Sequence, residues 1–331
     1  MFFKSTAQPF RPAWWCPGAH AQTIFARFFR PVPRLALSRQ RLETPDHDFL
    51  DVDILEGKQT APLAIILHGL EGSSQAPYVQ SLLGQMGEKG WQAAAVNFRS
   101  CSGELNRLKK TYHSGQTDDL DFILDHFRKN KVFEKIVLVG FSIGGNIVLK
   151  WLGEQAAQAA HQIHKAVAIS VPYDLAQSAQ LMDQGFNREV YTRKLLSTLK
   201  PKALAKEKQF PGILDPLKVK RCKTFRVFDS EVTAPVNGFR DALDYWTQSS
   251  SARYLKQICV PVLLIHAEDD PFFPGKYLPY EQIRSSDYLH ALVAPRGGHL
   301  GFVAGPWPWK QELWLEKRVM NFLSEGPGAI S

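Results

Sequence analysis

Apolar residues occur in short runs along most of the chain, and stretches with helical spacing separate these runs. The runs are PLAIILHG, WQAAAVNF, KIVLVGF, KAVAISV, PVLLIHAE and DYLHALVA. Such runs, alternating with a 3.6-residue period, are typical of parallel strands that helices cover on both faces. The pattern therefore predicts an α/β fold whose doubly wound sheet is mostly parallel.

Two further stretches, RLALSRQRLET and FLDVDILE, precede these runs and are predicted to form an opening antiparallel pair. The runs and helices together assign residues 35–171 and 259–331 to one core domain. Helical spacing predicts helices near residues 78–89, 117–129, 143–155, 276–285 and 309–323.

Residues 172–258 interrupt the alternation between two sheet strands. This segment has a largely helical pattern and carries prolines at positions 201, 211, 216 and 235. Ligands of such sheets bind at the carboxyl ends of the strands, where an insertion at this point would emerge. We therefore expect residues 172–258 to form a helical cap, or lid, over a binding site.

Residues 1–34, rich in Pro, Trp and Phe, form a third predicted segment. Within it, apolar side chains recur at helical spacing, at Ala21, Ile24, Phe25, Phe28 and Phe29. We expect this stripe to pack on the body of the protein, so that the segment forms an N-terminal arm. A helix whose apolar face meets a membrane is the alternative.

The formal charge of +8 is concentrated in two regions. Residues 1–42 contain seven Lys and Arg residues and no acidic residue, and residues 193–223 contain ten against Glu207 and Asp215. Basic patches can bind anionic membrane surfaces, so peripheral membrane contact is an alternative to a solvated face. Neither region has a nucleic-acid-binding motif, so we expect no nucleic-acid partner.

The four cysteines are widely spaced and form neither a CxxC pair nor a Cys/His cluster. This spacing predicts no zinc site, no disulfide framework and a reducing compartment. No apolar run approaches the roughly 18 residues that a membrane span needs, and MFFKSTAQPFRPAWW lacks the layout of a signal peptide. We therefore expect a cytoplasmic protein, whose oligomeric state the sequence does not predict.

The candidate chemistry begins at Ser142, which lies between two glycines in VGFSIGGN. The pattern G-x-S-x-G is common by chance, but here it follows a strand run and opens a helix, as in a nucleophile elbow. Glycines on both sides allow a sharp reversal that exposes the hydroxyl, and the helix N-terminus supplies free N–H groups. We therefore predict that Ser142 is a nucleophile.

A serine hydroxyl needs a base and an acid that orients the base. His299, in APRGGHLGF after the last strand run, would emerge at the same end of the sheet as Ser142 and is the predicted base. The predicted acid is Asp270, in HAEDDPFFP directly after a strand run, with Asp269 as the alternative. His113, in a loop at the strand ends, is expected to border the site.

Two backbone amides would complete the site as an oxyanion hole. One belongs to Ile143, which follows the serine, and the other to Leu70, in the loop HGLEGSS after an earlier strand run. His68 is expected to brace this loop. The HG loop, elbow, acid and histidine occur in the chain order of the α/β-hydrolase fold, whose chemistry needs no metal or organic cofactor.

Four segments carry a resemblance to the YheT-like branch of the α/β hydrolases: WWCPGAHAQTIF, HGLEGSS, NFRSCSGELNR and YHSGQTDDL. The elbow, DDPFFP and GGHLGF follow in register, so the resemblance covers nearly the whole chain. It implies a serine carboxylester hydrolase, in a branch with some members that act on phospholipids, and a triad of Ser142, Asp270 and His299. Ser100 stands where the branch usually has glycine.

The loop NFRSCSG is expected to reach the rim of the site. Arg99 is predicted to brace this loop by pairing with Asp118 or Asp119. The alternative is that Arg99 binds a substrate carboxylate or phosphate. Cys101 is not expected to be a nucleophile, because Ser142 has a full set of partners.

The predicted function is hydrolysis of a small-molecule or lipid carboxylic ester through an acyl-enzyme. A lipase or phospholipase at a membrane surface is the first alternative. A thioesterase or amidase would use the same residues, and a non-catalytic ligand-binding protein could retain the fold. Hydrolysis of a medium-chain glycerolipid or phospholipid in vesicles, compared with soluble short-chain esters, separates the esterase from the lipase. An ester chain-length panel on the wild type and Ser142→Ala is the most useful single experiment.

Overall fold

A sheet of eight strands crosses the molecule in the computed structural model, which describes residues 9–58, 60–130 and 133–324. In chain order the strands are β1 Ser38–Glu43, β2 Phe49–Leu55, β3 Leu63–Leu67, β4 Gln92–Asn97, β5 Ile136–Phe141, β6 Lys165–Ile169, β7 Val262–Ala267 and β8 Leu289–Ala294. Across the sheet they lie in the order β1-β2-β4-β3-β5-β6-β7-β8.

The sheet is mostly parallel. β2 pairs antiparallel with β1 and β4, and the remaining pairings are parallel. Every residue of β5 is buried, with Ile136 and Leu138 in the apolar cluster on one face and Val137 and Val139 in the cluster on the other. The prediction of a doubly wound, mostly parallel sheet with an antiparallel opening is confirmed.

Helices cover both faces of this sheet and build the segment between β6 and β7. The described residues also form short helices of other types. Two are π-helical, at Arg188–Thr192 and Asp229–Thr233, and two are 3-10 helices, at Ser251–Gln257 and Gly275–Tyr277. The helices are α1 Ala19–Phe29, α2 Pro77–Glu88, α3 Asp118–Asn130, α4 Ile143–Gln155, α5 Ala157–Ala160, α6 Leu175–Met182, α7 Gly185–Asn187, α8 Arg193–Gln209, α9 Pro216–Arg221, α10 Phe225–Phe228, α11 Ala234–Asn237, α12 Ala242–Ser249, α13 Tyr280–Arg284 and α14 Trp314–Ser324.

The region after β7 departs from the predicted pattern. One helix is expected over residues 276–285, but the chain forms a 3-10 turn, an extended Leu278 (φ −61°, ψ 142°) and then the short α13. Pro279 explains the break, because proline has no N–H donor and disfavours helical geometry in the residue before it.

The helix predicted over residues 309–323 begins only at Trp314. The preceding residues form a hairpin of β9 Ala304–Trp307 and β10 Lys310–Glu312. Gly305 (φ 111°) permits this hairpin, since a Cβ there would lie 2.3 Å from the carbonyl oxygen of Lys310. The predicted start of the last helix is therefore wrong.

Helices α6 to α12 lie between β6 and β7, within residues 172–258, which we call the helical insertion. The insertion has an apolar cluster of its own, which includes Tyr191 and Trp246. Lys206 of α8 ties the insertion to the loop after β4, because its buried ammonium donates to two backbone carbonyl groups of that loop. The helical content agrees with the expectation, and the division into arm, core and cap stays a prediction.

The N-terminal helix α1 packs on the body through buried polar residues as well as through part of its apolar stripe. Its buried residues are Gln22, Thr23 and Ala26. The predicted contact stripe is confirmed only in part, because Phe28 and Phe29 are exposed. Its other three members pack against apolar clusters, at Ala21, Ile24 and Phe25. The polar residues are buried because they bind a loop at the candidate active site.

Candidate active site

Ser142 occupies the turn between β5 and α4 with φ 54° and ψ −120°. A positive φ is costly for a residue with a side chain and persists only where the surrounding structure enforces it. Here the Ser142 N–H donates to the carbonyl oxygen of Ile169 at 2.8 Å, and the Ser142 carbonyl accepts the Asn146 N–H at 3.1 Å. The turn has the strained geometry of a nucleophile elbow.

The glycines on both sides of Ser142 are required by the space around them. A Cβ at Gly140 would lie 2.4 Å from the carbonyl oxygen of Gly144. A Cβ at Gly144 would lie 2.5 Å from the carbonyl oxygens of both Leu67 and His68. A larger residue at either position would therefore displace the elbow or the end of β3.

Ser142, His299 and Asp270 form one chain of hydrogen bonds. Ser142 Oγ lies 3.0 Å from His299 Nε2, and His299 Nδ1 lies 2.9 Å from Asp270 Oδ2. All three residues are buried. With Nδ1–H donating to the carboxylate, Nε2 accepts the serine hydroxyl. The structure thus brings together the residues predicted from the sequence as nucleophile, base and acid.

The two neighbouring aspartates make different contacts. Asp270 is fully enclosed, and its carboxylate also accepts two backbone N–H groups of the following turn, at 2.8 and 3.3 Å. Burial alone raises the pKa of Asp270. The charge of His299 and the hydrogen bond between the two side chains contribute to a larger opposing effect, so the pKa of Asp270 lies below its usual value. Asp269 instead accepts the Gly298 N–H at 2.9 Å and supports the loop.

The loop that carries His299 is held by the N-terminal helix. Thr23 Oγ1 accepts the backbone N–H of His299 at 2.9 Å, and the Gln22 side chain accepts the Val303 N–H at 2.6 Å. Gly298 (φ 59°) permits this approach, since a Cβ there would lie 2.4 Å from a carbonyl oxygen of α1. Sequence reasoning assigned no role to Gln22 or Thr23, although both lie in the segment WWCPGAHAQTIF.

Phe272 stacks on the imidazole ring of His299. The two ring centroids are 4.0 Å apart and the planes differ by 18°. Tyr191 of the helical insertion lies edge-on against Phe272 at 4.8 Å. The stack covers one face of the imidazole, and the aromatic face favours a positive charge on the ring beside it. The sequence showed no signal for this contact beyond the position of Phe272 in DDPFFP.

The loop after β3 passes close to the elbow. A Cβ at Gly69 would lie 3.2 Å from Ser142 Cβ. The amides on either side of Leu70 donate to two tyrosine hydroxyls, at 2.9 and 3.0 Å, whereas the Leu70 N–H donates to no other residue that the structure describes. Ile143 begins α4, where an amide has no partner within the helix. These two amides remain the candidate oxyanion donors.

Two further histidines lie near the elbow. The Nδ1–H of His68 donates to the carbonyl oxygen of Gly69 at 2.7 Å, and Nε2 accepts the Phe98 N–H at 3.2 Å. Burial lowers the pKa of His68 to about 4, so the ring is neutral with both nitrogens engaged, which agrees with the predicted bracing role. His113 lines the same cavity as Ser142, and burial lowers its pKa to about 3.

Arg99 braces the loop after β4. Its buried guanidinium lies 2.7 Å from Asp119, 2.8 Å from Asp46 and 3.0 Å from Asp48. The predicted bracing role is confirmed, with Asp119 as the partner and not the exposed Asp118. Since three carboxylates surround Arg99, its charge is balanced within the protein, which argues against the alternative role in binding a substrate anion.

A salt bridge joins the helical insertion to the loop after β3. Lys202 Nζ of α8 lies 2.8 Å from Glu71 Oε1, and Tyr112 Oη donates to the same oxygen at 2.8 Å. Lys202 also lies 3.7 Å from Cys101 Sγ. Burial raises the pKa of Cys101 to about 12, so the thiol stays protonated and is a poor nucleophile, as predicted.

A cavity of about 780 Å³ contains Ser142 and His299. Its wall comes from α1, from the loops at the strand ends and from the helical insertion. An apolar wall binds hydrocarbon and disfavours unpaired charge. Most of the wall is apolar and includes Ile24, Leu70, Leu175, Met182, Leu195, Leu199, Phe225 and Val232.

The described cysteines and potential metal ligands add no further reactive group to the site. The cysteines at positions 16, 101, 222 and 259 are free thiols. No group of three or more potential metal ligands occurs among the residues that the structure describes. Within the same ranges, no helix is long and apolar enough to cross a membrane.

A strained serine between a parallel strand and a helix, followed in chain order by an acid and a histidine that contact it, is the arrangement of an α/β hydrolase. Residues 62–306 match the family described as the alpha/beta hydrolase fold. The Escherichia coli (strain K12) esterase candidate YheT is 35% identical, over 97% of this chain and 94% of that protein. The chain belongs to the α/β-hydrolase family and is YheT-like.

Other relatives agree with this assignment. Phospholipase ABHD3 of Mus musculus is 26% identical, over 96% of this chain and 78% of that protein. The solved structure of the Pyrococcus furiosus esterase Pf2001 in space group C2221 has a TM-score of 0.59 at 17% identity, over 89% of this chain and 95% of that chain, which shows the fold alone. The family and its relatives identify a hydrolase of the esterase and lipase type.

Proposed function

We propose that the chain is a serine hydrolase that cleaves carboxylic esters through an acyl-enzyme intermediate. The observation that carries the proposal is the hydrogen-bond chain from Ser142 Oγ through His299 to Asp270, inside an apolar cavity. A hydroxyl with a basic nitrogen 3.0 Å away can lose its proton as it attacks.

Each group of the site has one role in this mechanism. His299 Nε2 takes the proton of Ser142 as Oγ attacks the ester carbonyl carbon, and Asp270 stabilises the imidazolium that forms. The Leu70 and Ile143 amides donate to the oxyanion of the tetrahedral intermediate. His299 then protonates the leaving alkoxide. A water molecule, deprotonated by the same nitrogen, finally hydrolyses the acyl-enzyme.

The apolar cavity supports an ester with a hydrocarbon chain as the substrate class. Each methylene group moved from water into such a cavity contributes about 0.8 kcal/mol. If this free energy is expressed in the transition state, kcat/KM rises about fourfold per added carbon until the cavity is filled. The increase should level off once further carbons remain in water.

A panel of p-nitrophenyl esters of increasing acyl length tests the proposal. The wild type should turn over these esters with a burst of p-nitrophenol, and Ser142→Ala should lose at least about 10⁴-fold in kcat. Ser197→Ala, at an exposed position of α8, is the matched control and should retain full activity. A folded Ser142→Ala that keeps wild-type turnover would overturn the proposal.

A lipase or phospholipase that acts at a membrane surface is the second candidate. The apolar cavity, with the cations of Arg27 and Lys194 at its wall, favours this candidate, and the name of the mouse relative agrees with it. Turnover of a phosphatidylcholine in vesicles, set against a soluble short-chain ester, separates the two functions. Faster hydrolysis of the vesicle lipid would select the lipase.

Substrate analogues and a binding measurement separate the remaining alternatives. Thioester and anilide analogues of the best ester distinguish a thioesterase and an amidase from an esterase. Ligand binding without turnover by the wild type would identify a non-catalytic protein. The cytoplasmic location stays a prediction from the cysteines and the N-terminal sequence.

A further inference from the structure

An exposed group of aromatic side chains lies on the N-terminal arm and the β9–β10 hairpin. We call it the aromatic surface. Exposed large apolar side chains are usually scattered singly. Among the Phe and Trp side chains of the described ranges, only Phe186 is comparably exposed elsewhere. The members of the surface are Trp14, Phe28, Phe29, Trp307 and Trp309, with exposed fractions of 69, 68, 62, 46 and 83%.

The aromatic surface consists of a group of three tryptophan rings and a pair of phenylalanine rings, which one hydrogen bond links. Trp307 contacts Trp14 edge-on at 5.5 Å and stacks on the other hairpin tryptophan at 6.0 Å. On α1, the rings of Phe28 and Phe29 are 6.5 Å apart. The side chain of Gln311, on the hairpin, donates to the carbonyl oxygen of Phe29 at 2.6 Å. This hydrogen bond holds the hairpin rings beside the helix rings.

The N-terminal segment that carries Trp14, Phe28 and Phe29 is basic. The guanidinium carbon of Arg27 lies 5.9 Å from the centroid of the Phe28 ring. Arg11 and Arg34 are exposed positions of the same segment, in which no acidic residue precedes Glu43. The hairpin adds one lysine and one glutamate, whose charges cancel. A second copy of the chain would bring the same arginines face to face in a two-fold interface. An anionic partner is therefore favoured by charge.

The aromatic surface adjoins the cavity that contains Ser142. Phe28 is both an exposed ring and a wall residue of that cavity, together with Ile24 and Arg27 of the same helix. The cavity therefore reaches the molecular surface at α1. A hydrocarbon-lined cavity that opens beside an exposed Phe ring of the aromatic surface suits contact with the boundary between lipid headgroups and acyl chains, where Phe and Trp rings are stable.

We propose that the aromatic surface binds the interface of an anionic phospholipid bilayer. The rings enter the boundary between headgroups and acyl chains, and the arginines contact the headgroup phosphates. This contact turns the opening of the cavity toward the bilayer. The proposal concerns binding and not turnover, so the Ser142→Ala chain binds as well as the wild type does. Failure of this proposal is therefore distinguishable from failure of the proposed function.

Co-sedimentation of the full chain with vesicles tests the proposal. Vesicles of phosphatidylcholine with phosphatidylglycerol are compared with vesicles of phosphatidylcholine alone. We expect the wild type to bind the anionic vesicles. The double variant Trp309→Ser/Phe29→Ser should bind these vesicles about 100-fold more weakly, because each lost ring costs about tenfold in affinity, or about 1.4 kcal/mol. Neither ring lines the cavity, so turnover of a soluble ester should stay within about twofold of wild type.

Two further variants make the result specific. Leu217→Ser/Leu243→Ser changes two side chains on α9 and α12 that are each 60% exposed, and this control should bind as the wild type does. Arg11→Gln/Arg34→Gln should lose about fivefold per arginine in affinity for the anionic vesicles. It should bind neutral vesicles without change.

Several outcomes would overturn the proposal. Absence of wild-type binding to the anionic vesicles is one, and unchanged binding by the ring variant is another. An equal loss in the Leu217/Leu243 control would mean that the binding is not located at the aromatic surface. The surface would instead bind a second copy of the chain if three results occur together. The wild type would be dimeric in sedimentation velocity, it would not bind vesicles, and the ring variant would be monomeric.

Discussion

Replacement of Asp270 by Asn removes one charge from the enclosed end of the hydrogen-bond chain and leaves the shape of the side chain intact. The amide oxygen of Asn can still accept the two backbone N–H groups that Asp270 accepts at 2.8 and 3.3 Å. Its amide nitrogen then donates to Nδ1 of His299, which places the ring proton on Nε2. In that tautomer His299 cannot accept the proton of Ser142.

The expected magnitude follows from the charges involved. The carboxylate and the imidazolium meet at 2.9 Å between Nδ1 and Oδ2, with their delocalised charges centred further apart. Unit charges about 4 Å apart at an effective dielectric constant of about 20 attract by about 4 kcal/mol. Loss of this attraction in the transition state corresponds to about a 10³-fold lower kcat/KM. The wrong tautomer extends the expected range to about 10³–10⁴-fold.

The assay is kcat/KM for a short-chain p-nitrophenyl ester, with circular dichroism as the check on folding. Asp269→Asn is the matched control, because Asn at this position can still accept the Gly298 N–H that Asp269 accepts at 2.9 Å. We expect the control to lose less than about tenfold, since it makes no contact with the imidazole. An orienting role of Asp270 is excluded if Asp269→Asn loses as much activity as Asp270→Asn, or if Asp270→Asn stays within tenfold of wild type.

Further predictions concern the elbow, the arm and the bracing network. Gly144→Ala should lower the free energy of unfolding by at least about 1–3 kcal/mol, because its Cβ would lie 2.5 Å from two carbonyl oxygens. An unchanged melting temperature would contradict this prediction. Thr23→Val leaves the buried N–H of His299 without an acceptor and should cost about 1–3 kcal/mol in urea unfolding, whereas Thr23→Ser should retain stability. Burial raises the pKa of Asp48, but hydrogen bonds and the charge of Arg99 lower it by more. The stability that Asp48 contributes is therefore present above its unfolded-state pKa and is lost as the pH falls through its lower folded-state value. Arg99→Gln should flatten the loss of stability below about pH 4, and an identical pH profile for the two proteins would count against this network.

The proximity of the three candidate catalytic residues could be predicted from the sequence because these residues follow strands of one parallel sheet. The carboxyl ends of such strands lie at one edge, so chain order alone brings Ser142, Asp270 and His299 to the same place. Chain order does not indicate which of two adjacent aspartates contacts the histidine. The choice between Asp269 and Asp270 depends on which carboxylate turns toward the imidazole, and that direction is set by the backbone of the turn.

The packing of α1 was only partly predictable from its periodicity. The rule that apolar residues form the contact face of a helix assumes that the helix docks on other apolar side chains. Here Gln22 and Thr23 are buried because they satisfy backbone groups of the histidine loop, about 280 residues away along the chain. The same docking leaves Phe28 and Phe29 in solvent.

The contacts that brace the loops were also only partly predictable, because some of them join residues that are distant in the sequence. Arg99 and Asp119 are close in sequence and could be paired by inspection. Asp46 and Asp48 lie before β2, and only the antiparallel pairing of β2 with β4 brings them to Arg99. The contact between Lys202 and Glu71 similarly depends on how the helical insertion folds back over the loop after β3.

Covalent labelling with a fluorophosphonate, followed by peptide mass spectrometry, shows directly whether Ser142 is the nucleophile. The account predicts one stoichiometric adduct on Ser142, absent from Ser142→Ala and slowed in Asp270→Asn. Either no adduct on the folded wild type or an adduct on a different serine would contradict it.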